Sequence, residues 1–248
     1  VRTSSWISLA AGGLGAAAGL AAYAVNGRSS EILAPSVWHG PRDRRAYSLT
    51  FDDGPSESTP RLLDLLDSHG VKATFFLVGA NVRRLPSIAR EILRRGHEVG
   101  NHGDRHPYYC FRAPAFVYND IVQGQRAIED ALGFSPWLFR PPFGLRWLGM
   151  REAQRTCGVV GVQWSVMGRD WRLPANGIAQ RLVDGLEPGA ILCLHDGREL
   201  ERNPDIHNTI TAVRAFLLHR ASEDFQAVTV SALFAPELFL EKEAESSA

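Results

Sequence analysis

From residue 46 onward the apolar and polar positions of this chain alternate between two patterns. "AYSLTF" (46–51) and "VKATFFLVG" (71–79) are short apolar runs rich in aromatic and β-branched residues, as expected of strands buried in a sheet. Between them, "STPRLLDLLDSHG" (58–70) puts Leu62, Leu63, Leu65 and Leu66 on one helical face, with Pro60 near its start and Gly70 at its end. The same reading predicts strands at 97–103, 137–144, 159–166, 190–197 and 225–234. It predicts helices at 85–96, 116–133, 146–158, 176–189 and 209–221. Strand and helix alternate without a compositional break, which is the signature of a parallel α/β domain, either an open sheet or a barrel.

The ends of the chain depart from this pattern. Residues 3–27 carry no charge and read "WISLAAGGLGAAAGLAAYAV" through their middle, flanked by Arg2 and Arg28. A run of about twenty such residues is long enough to span a bilayer as a helix. The expectation is therefore an N-terminal anchor or signal segment over 1–28, with cleavage at "AYA" (22–24) and a soluble helix as the alternatives. Residues 29–44 read as a Pro- and Arg-containing connector, 45–236 as the α/β domain, and 237–248 as an acidic tail.

Composition narrows the function classes. Acidic and basic residues number 27 each, for a net charge of zero, and no basic block occurs. A nucleic-acid partner is not expected on such a chain, and nothing in it calls for an obligate protein partner. The cysteines at 110, 157 and 193 are odd in number and form no CxxC pair, so neither a disulfide framework nor a thiolate zinc site is expected. Cys157 and Cys193 read as small buried residues.

In a parallel α/β domain, ligands gather at the carboxyl ends of the strands. Five strand ends here carry polar side chains capable of chemistry. They are Asp52 and Asp53; Asn101, His102 and His106; Arg140; Asp170 and Trp171; and His195 and Asp196. His102 and His106 are four apart in "NHGDRH", a spacing that brings two imidazoles onto one ion with Asp53 as third ligand, or leaves two surface histidines in a loop. A free carboxylate at Asp52 beside such an ion is a candidate general base. Arg140 is a candidate partner for Asp52, and His195 a candidate acid held by Asp170. The bland alternatives are a capped turn at 52–55, a surface arginine before Pro141-Pro142, and a histidine bonded to a nearby carbonyl.

Taken in order, "TFDDGP" (50–55), "NHGDRH" (101–106), "RPPFG" (140–144), "GRDW" (168–171) and "LCLHDG" (192–197) resemble the five motifs of the NodB-like polysaccharide deacetylases, carbohydrate esterase family 4. The resemblance implies a distorted, partly open (β/α) barrel of about seven strands. It implies Asp53, His102 and His106 as ligands of a metal, usually Zn2+ with Co2+ or Mn2+ as alternatives. Asp52 would be the catalytic base, oriented by Arg140, and His195 the catalytic acid, held by Asp170. Trp171 would stand beside that acid, Leu194 would help form the acetyl methyl pocket, and the Phe143 N–H would stabilise the oxyanion. The implied reaction is attack of metal-bound water on the N-acetyl group of an amino-sugar glycan such as peptidoglycan or chitin; an anchor or signal over 1–28 would put that reaction outside the cytoplasm. An O-acetyl esterase, a deacylase of a lipid-linked sugar and a non-catalytic glycan-binding protein are the alternatives. Two positions depart from the family pattern: Gly103 stands where Ser or Thr is usual, making Asp104 a candidate substitute partner, and Ser165 stands where an aspartate is usual.

Overall fold

A computed structural model describes the backbone of residues 3–234, and the side chains from residue 15 onward apart from that of residue 220. The expected acidic tail lies outside the described residues, and the side chains of the first half of the expected anchor do too. The chain opens with helix α1 (Thr3–Asn26). Among the described residues no helix is long and apolar enough to cross a membrane.

Helix and strand then alternate much as the pattern predicts. The first half runs β1 (Ser36–Val37), β2 (Ala46–Gly54), α2 (Thr59–Ser68), β3 (Thr74–Leu77), α3 (Gly79–Arg84), α4 (Pro86–Arg94), β4 (Glu98–Asn101) and α5 (Pro114–Leu132). The second half runs β5 (Leu138–Phe139), α6 (Met150–Cys157), β6 (Val160–Val162), β7 (Val166–Met167), α7 (Ala175–Asp184), β8 (Ala190–His195), α8 (His207–Leu217), α9 (Arg220–Glu223), β9 (Gln226–Ala227) and α10 (Val230–Phe234). Local chemistry sets several of these boundaries. α4 and α5 begin at a proline and α2 carries Pro60 at its second position, where the missing N–H costs nothing in a first turn. α5 stops at Gly133, which takes the left-handed conformation with φ 76°.

Eight strands form one sheet in the order β1-β6-β5-β4-β3-β2-β8-β7, and β9 pairs with the start of β2. Every pairing is parallel. The sheet has to curl. Laid flat at about 4.8 Å per strand it would hold β6 and β7 about 29 Å apart. They are joined only by residues 163–165, which reach roughly 14 Å at full extension. The result is the open, distorted (β/α) barrel expected from the motifs. Its main core lies where Leu49 and Phe51 of β2 and Leu192 and Leu194 of β8 meet Leu62 and Leu66 of α2 and Phe216 of α8.

Several elements differ from the sequence expectation: β1 lies within the expected connector, α3 follows β3 directly, and the strand expected over 137–144 is only Leu138–Phe139 before a short 3-10 turn at Pro142–Gly144. The single strand expected over 159–166 is two strands at opposite sides of the sheet. The break is stabilised at Gln163, whose side-chain amide donates to the Gly144 carbonyl (3.0 Å). The strand expected over 225–234 is β9 followed by helix α10. There the Thr74 hydroxyl accepts from the Val230 N–H (2.9 Å), and the Glu98 carboxylate accepts from the Ser231 N–H (3.2 Å) and from the Ser231 hydroxyl. Those bonds start a helix in a run of β-favouring residues, so tertiary partners override local propensity.

Candidate active site

Because all strands run the same way, their carboxyl ends share one rim, and the five polar strand ends converge there. Asp52 and Asp53 sit at an irregularity of β2, where the pairing with β3 shifts between Asp52 and Gly54. Asp53 takes φ 73°, a left-handed conformation that Asp tolerates better than most residues. That reversal turns Asp53 toward the histidine loop while Asp52 stays in the ladder beside His195.

The Asp53 Oδ1 atom lies 3.0 Å from His106 Nε2 and 3.5 Å from His102 Nε2. The other oxygen, Oδ2, accepts from the Glu199 N–H (3.0 Å). His102 Nδ1 donates to the Arg140 carbonyl (2.7 Å), which fixes the tautomer and leaves Nε2 as a lone-pair donor directed at the carboxylate. All three groups are buried, and among the described residues Asp53 Oδ1 and His106 Nδ1 have no hydrogen-bond partner. Burial opposes charge on Asp53, yet the two imidazoles hold its carboxyl well below the usual carboxylate range. An unpartnered buried carboxylate oxygen facing two Nε2 atoms is the donor set of a divalent cation with open positions, so these residues fit a metal.

Asp52 is held from the opposite side. Its Oδ1 accepts from Arg140 Nη1 (2.7 Å), which also donates to the Thr50 hydroxyl (2.7 Å). Arg140 is completely buried, bonded through Nε to the Val162 carbonyl and through Nη2 to the Gln163 carbonyl (both 3.2 Å), with its guanidinium over the Phe76 ring. A guanidinium so enclosed needs its carboxylate, and the carboxylate needs it. Asp52 Oδ2 faces the cleft, 3.9 Å from His102 Nε2 and 3.4 Å from the Cys193 thiol, which donates to it.

Across the cleft, His195 Nδ1 meets Asp170 Oδ1 at 2.8 Å, and the His195 N–H donates to Asp170 Oδ2 (3.0 Å). Thr209 on α8 donates its hydroxyl to the same oxygen (2.6 Å). Burial alone would lower the His195 pKa, but the Asp170 carboxylate outweighs it and raises the value to about 9. Trp171 stands edge-on to His195 with ring centroids 5.2 Å apart. The cleft holds about 670 Å³ and is walled by Phe143, Trp164, Met167, Trp171 and the 198–201 loop. Phe143, at φ 57°, packs on His106, and its N–H has no hydrogen-bond partner among the described residues.

One candidate is not brought to the cleft. Leu194 is fully buried on the other face of β8, packed against Gly168. Strand alternation instead places Cys193 on the His195 side. That period-two relation to His195 was the one signal for Cys193 in the sequence. Thr209 and Glu199 had none, since tertiary contact alone brings them to Asp170 and Asp53. Asp104 is not the substitute loop partner. Its carboxylate turns to Arg83 (2.6 Å), and Asp120 of α5 holds the loop by accepting from the Asp104 N–H (3.0 Å), the Arg105 N–H (3.2 Å) and the Tyr109 hydroxyl (2.8 Å). Ser165 stitches β7 to β8, accepting from the Ile191 N–H (3.0 Å).

Comparison with known proteins agrees with this geometry. The family described as Polysaccharide deacetylase matches residues 39–162. The peptidoglycan-N-acetylglucosamine deacetylase PgdA of Listeria monocytogenes is 35% identical over 217 residues, covering 86% of this chain, while the chain spans only 44% of that relative. A peptidoglycan-N-acetylglucosamine deacetylase of Bacillus cereus is 34% identical, over 79% of this chain and 92% of its own length. Among solved structures, the Bc1960 peptidoglycan N-acetylglucosamine deacetylase, crystallised with an N-hydroxybenzamide ligand, superposes with a TM-score of 0.72 at 30% identity, covering 79% of this chain and 91% of that one.

Proposed function

This chain belongs to the polysaccharide deacetylase family, the NodB-like carbohydrate esterases of family 4, and on that premise we propose that it hydrolyses N-acetyl groups on an amino-sugar glycan of the peptidoglycan or chitin type. Residues 45–236 are the proposed catalytic domain. The observation that carries the reading is one cleft with an imidazole–carboxylate donor set, an Arg-clamped carboxylate beside it and an Asp-held imidazole opposite. The family has non-catalytic alternatives, and a chain that retains both a candidate base and a candidate acid does not favour them.

In this reading Asp53, His102 and His106 hold a divalent cation, with zinc the proposed occupant. When bound, such an ion acidifies water and polarises the acetyl carbonyl. Asp52 accepts the proton of the attacking water through Oδ2, while Arg140 keeps it aimed through Oδ1. The Phe143 N–H stabilises charge on the carbonyl oxygen. As the C–N bond breaks, protonated His195 gives its proton to the departing amine, and Asp170 holds the ring in place. Acetate and the free amino sugar are the products. Action outside the cytoplasm belongs to the same proposal, with the uncharged run at 3–27 as its proposed N-terminal signal or tether.

The test is acetate release from acetylated chitooligosaccharides, peptidoglycan fragments and acetylated xylan, with zinc, cobalt or manganese restored to the apoprotein. Zinc-supported release from the amino sugars, lowered at least about a thousandfold in Asp52→Asn, is the expected result. Release from xylan alone would make the protein an esterase. No release from any of them by metal-loaded protein would sink the amino-sugar reading and leave a lipid-linked substrate or a binding role.

A further inference from the structure

The cleft does not end at its own wall. Trp164 and Met167, which line it, also line an adjoining open groove of about 490 Å³ whose other residues include Arg28, Arg169 and Arg181. Met167 is paired with Cys193 on β8, two residues from His195, so the groove begins beside the reacting centre. Three guanidinium groups around one groove stand out on a chain whose net charge is zero.

Two of the three have unspent bonding capacity. The Arg169 side chain is exposed and has no ion pair or hydrogen bond among the described residues. Its backbone is held left-handed at φ 57°, between buried Gly168 and buried Asp170. Arg181 on α7 donates through Nε to the Met167 carbonyl (3.1 Å), which ties its stem to the cleft wall and leaves both Nη atoms without a protein partner among the described residues. Arg28 donates to the Ser165 carbonyl and is anchored from behind, because buried Arg146 grips the carbonyls of Gly27 (2.7 Å) and Arg28 (2.9 Å). The one carboxylate in the groove, Asp184, already accepts from Gln180 Nε2 (2.7 Å).

We infer that this groove is a subsite for a carboxylate carried by the glycan on a sugar next to the one being deacetylated, so that the protein selects an acidic glycan over a neutral one. The inference rests on the deacetylase reading of the cleft. Guanidinium forks suit a carboxylate in particular, since two parallel N–H bonds match its two oxygens. Trp164, between cleft and groove, offers a flat apolar face for the sugar that joins them.

Three substrates of equal length test this: a neutral N-acetylglucosamine oligomer, one whose alternate sugars carry a 3-O-lactyl acid, and the methyl ester of that acid. The wild-type full chain is expected to favour the free acid over its ester by about tenfold in kcat/KM, mostly through KM. In R169N/R181Q that preference is expected to vanish, with the neutral oligomer changed by less than about twofold. Asn is chosen at 169 because it tolerates the left-handed backbone. A preference that survives the double substitution, or an equal loss on all three substrates, overturns the subsite. Wild-type turnover of the neutral oligomer with no preference for the acid overturns it too, while leaving the deacetylase reading intact. Turnover of none of the three removes both.

Discussion

Asp170 meets His195 through both the imidazole and the backbone N–H, and Thr209 pins the same carboxylate from α8. The imidazole therefore has one orientation, with Nε2 left for the cleft. Its pKa of about 9 keeps it charged at neutral pH, as a proton donor requires. Activity should thus fall on the alkaline side as His195 loses its proton. Asp170→Asn removes the charge that raises the value and leaves the burial that lowers it. The alkaline limb of kcat/KM is then expected to move down by about 1 pH unit or more, with a large fall in kcat. A limb that stays near pH 9 in this variant would assign it to another group. Cys193 belongs to the same residue-scale account. Burial first, and then the neighbouring Asp52 carboxylate, push its thiol pKa well up, and the thiol donates a hydrogen bond to the base.

The histidine loop shows what a single element needs in order to present two ligands four residues apart. It leaves β4 through Gly103, whose φ is +80°, and a Cβ there would lie 2.6 Å from Asp120 Oδ2 and 2.8 Å from the Tyr109 hydroxyl. Glycine is required because Asp120 comes close enough to take two loop N–H groups. Gly103→Ala should displace the loop, weakening zinc affinity in a chelator-competition assay by about tenfold or more, as expected for left-handed strain plus a lost supporting bond. Unchanged affinity would mean that the Asp120 bonds do not position His102 and His106. At this scale the sequence is legible where local chemistry decides. The Leu62–Leu66 face, Gly133 and the strand-end polar residues all stand where the pattern expects them. It is illegible where a distant partner decides, as at Gln163, which breaks a run that reads as one strand, and at Ser231, which Glu98 draws into a helix. Gly103 reads as a departure from the family pattern, and only the packing of α5 supplies its reason.

At the scale of the whole molecule, the candidate metal ligands come from two separated parts of a sheet that is not closed by hydrogen bonding into a ring. Asp53 ends β2, His102 and His106 follow β4, and β3 lies between the two strands. The 198–201 loop leans on the same carboxylate through the Glu199 N–H. A cation held here links elements that chain connectivity leaves independent, and binding to the folded state alone stabilises it by mass action. With zinc free at about one hundred times its Kd, that gain is about 2.7 kcal/mol. A chain of this size then melts roughly 5–10 °C higher than after chelation. Asp53→Asn should lower the midpoint only modestly in chelator and abolish most of the zinc-dependent rise. A zinc-dependent rise of full size in Asp53→Asn would show that the ion binds elsewhere, and no rise in the wild type would show that the cleft does not hold it.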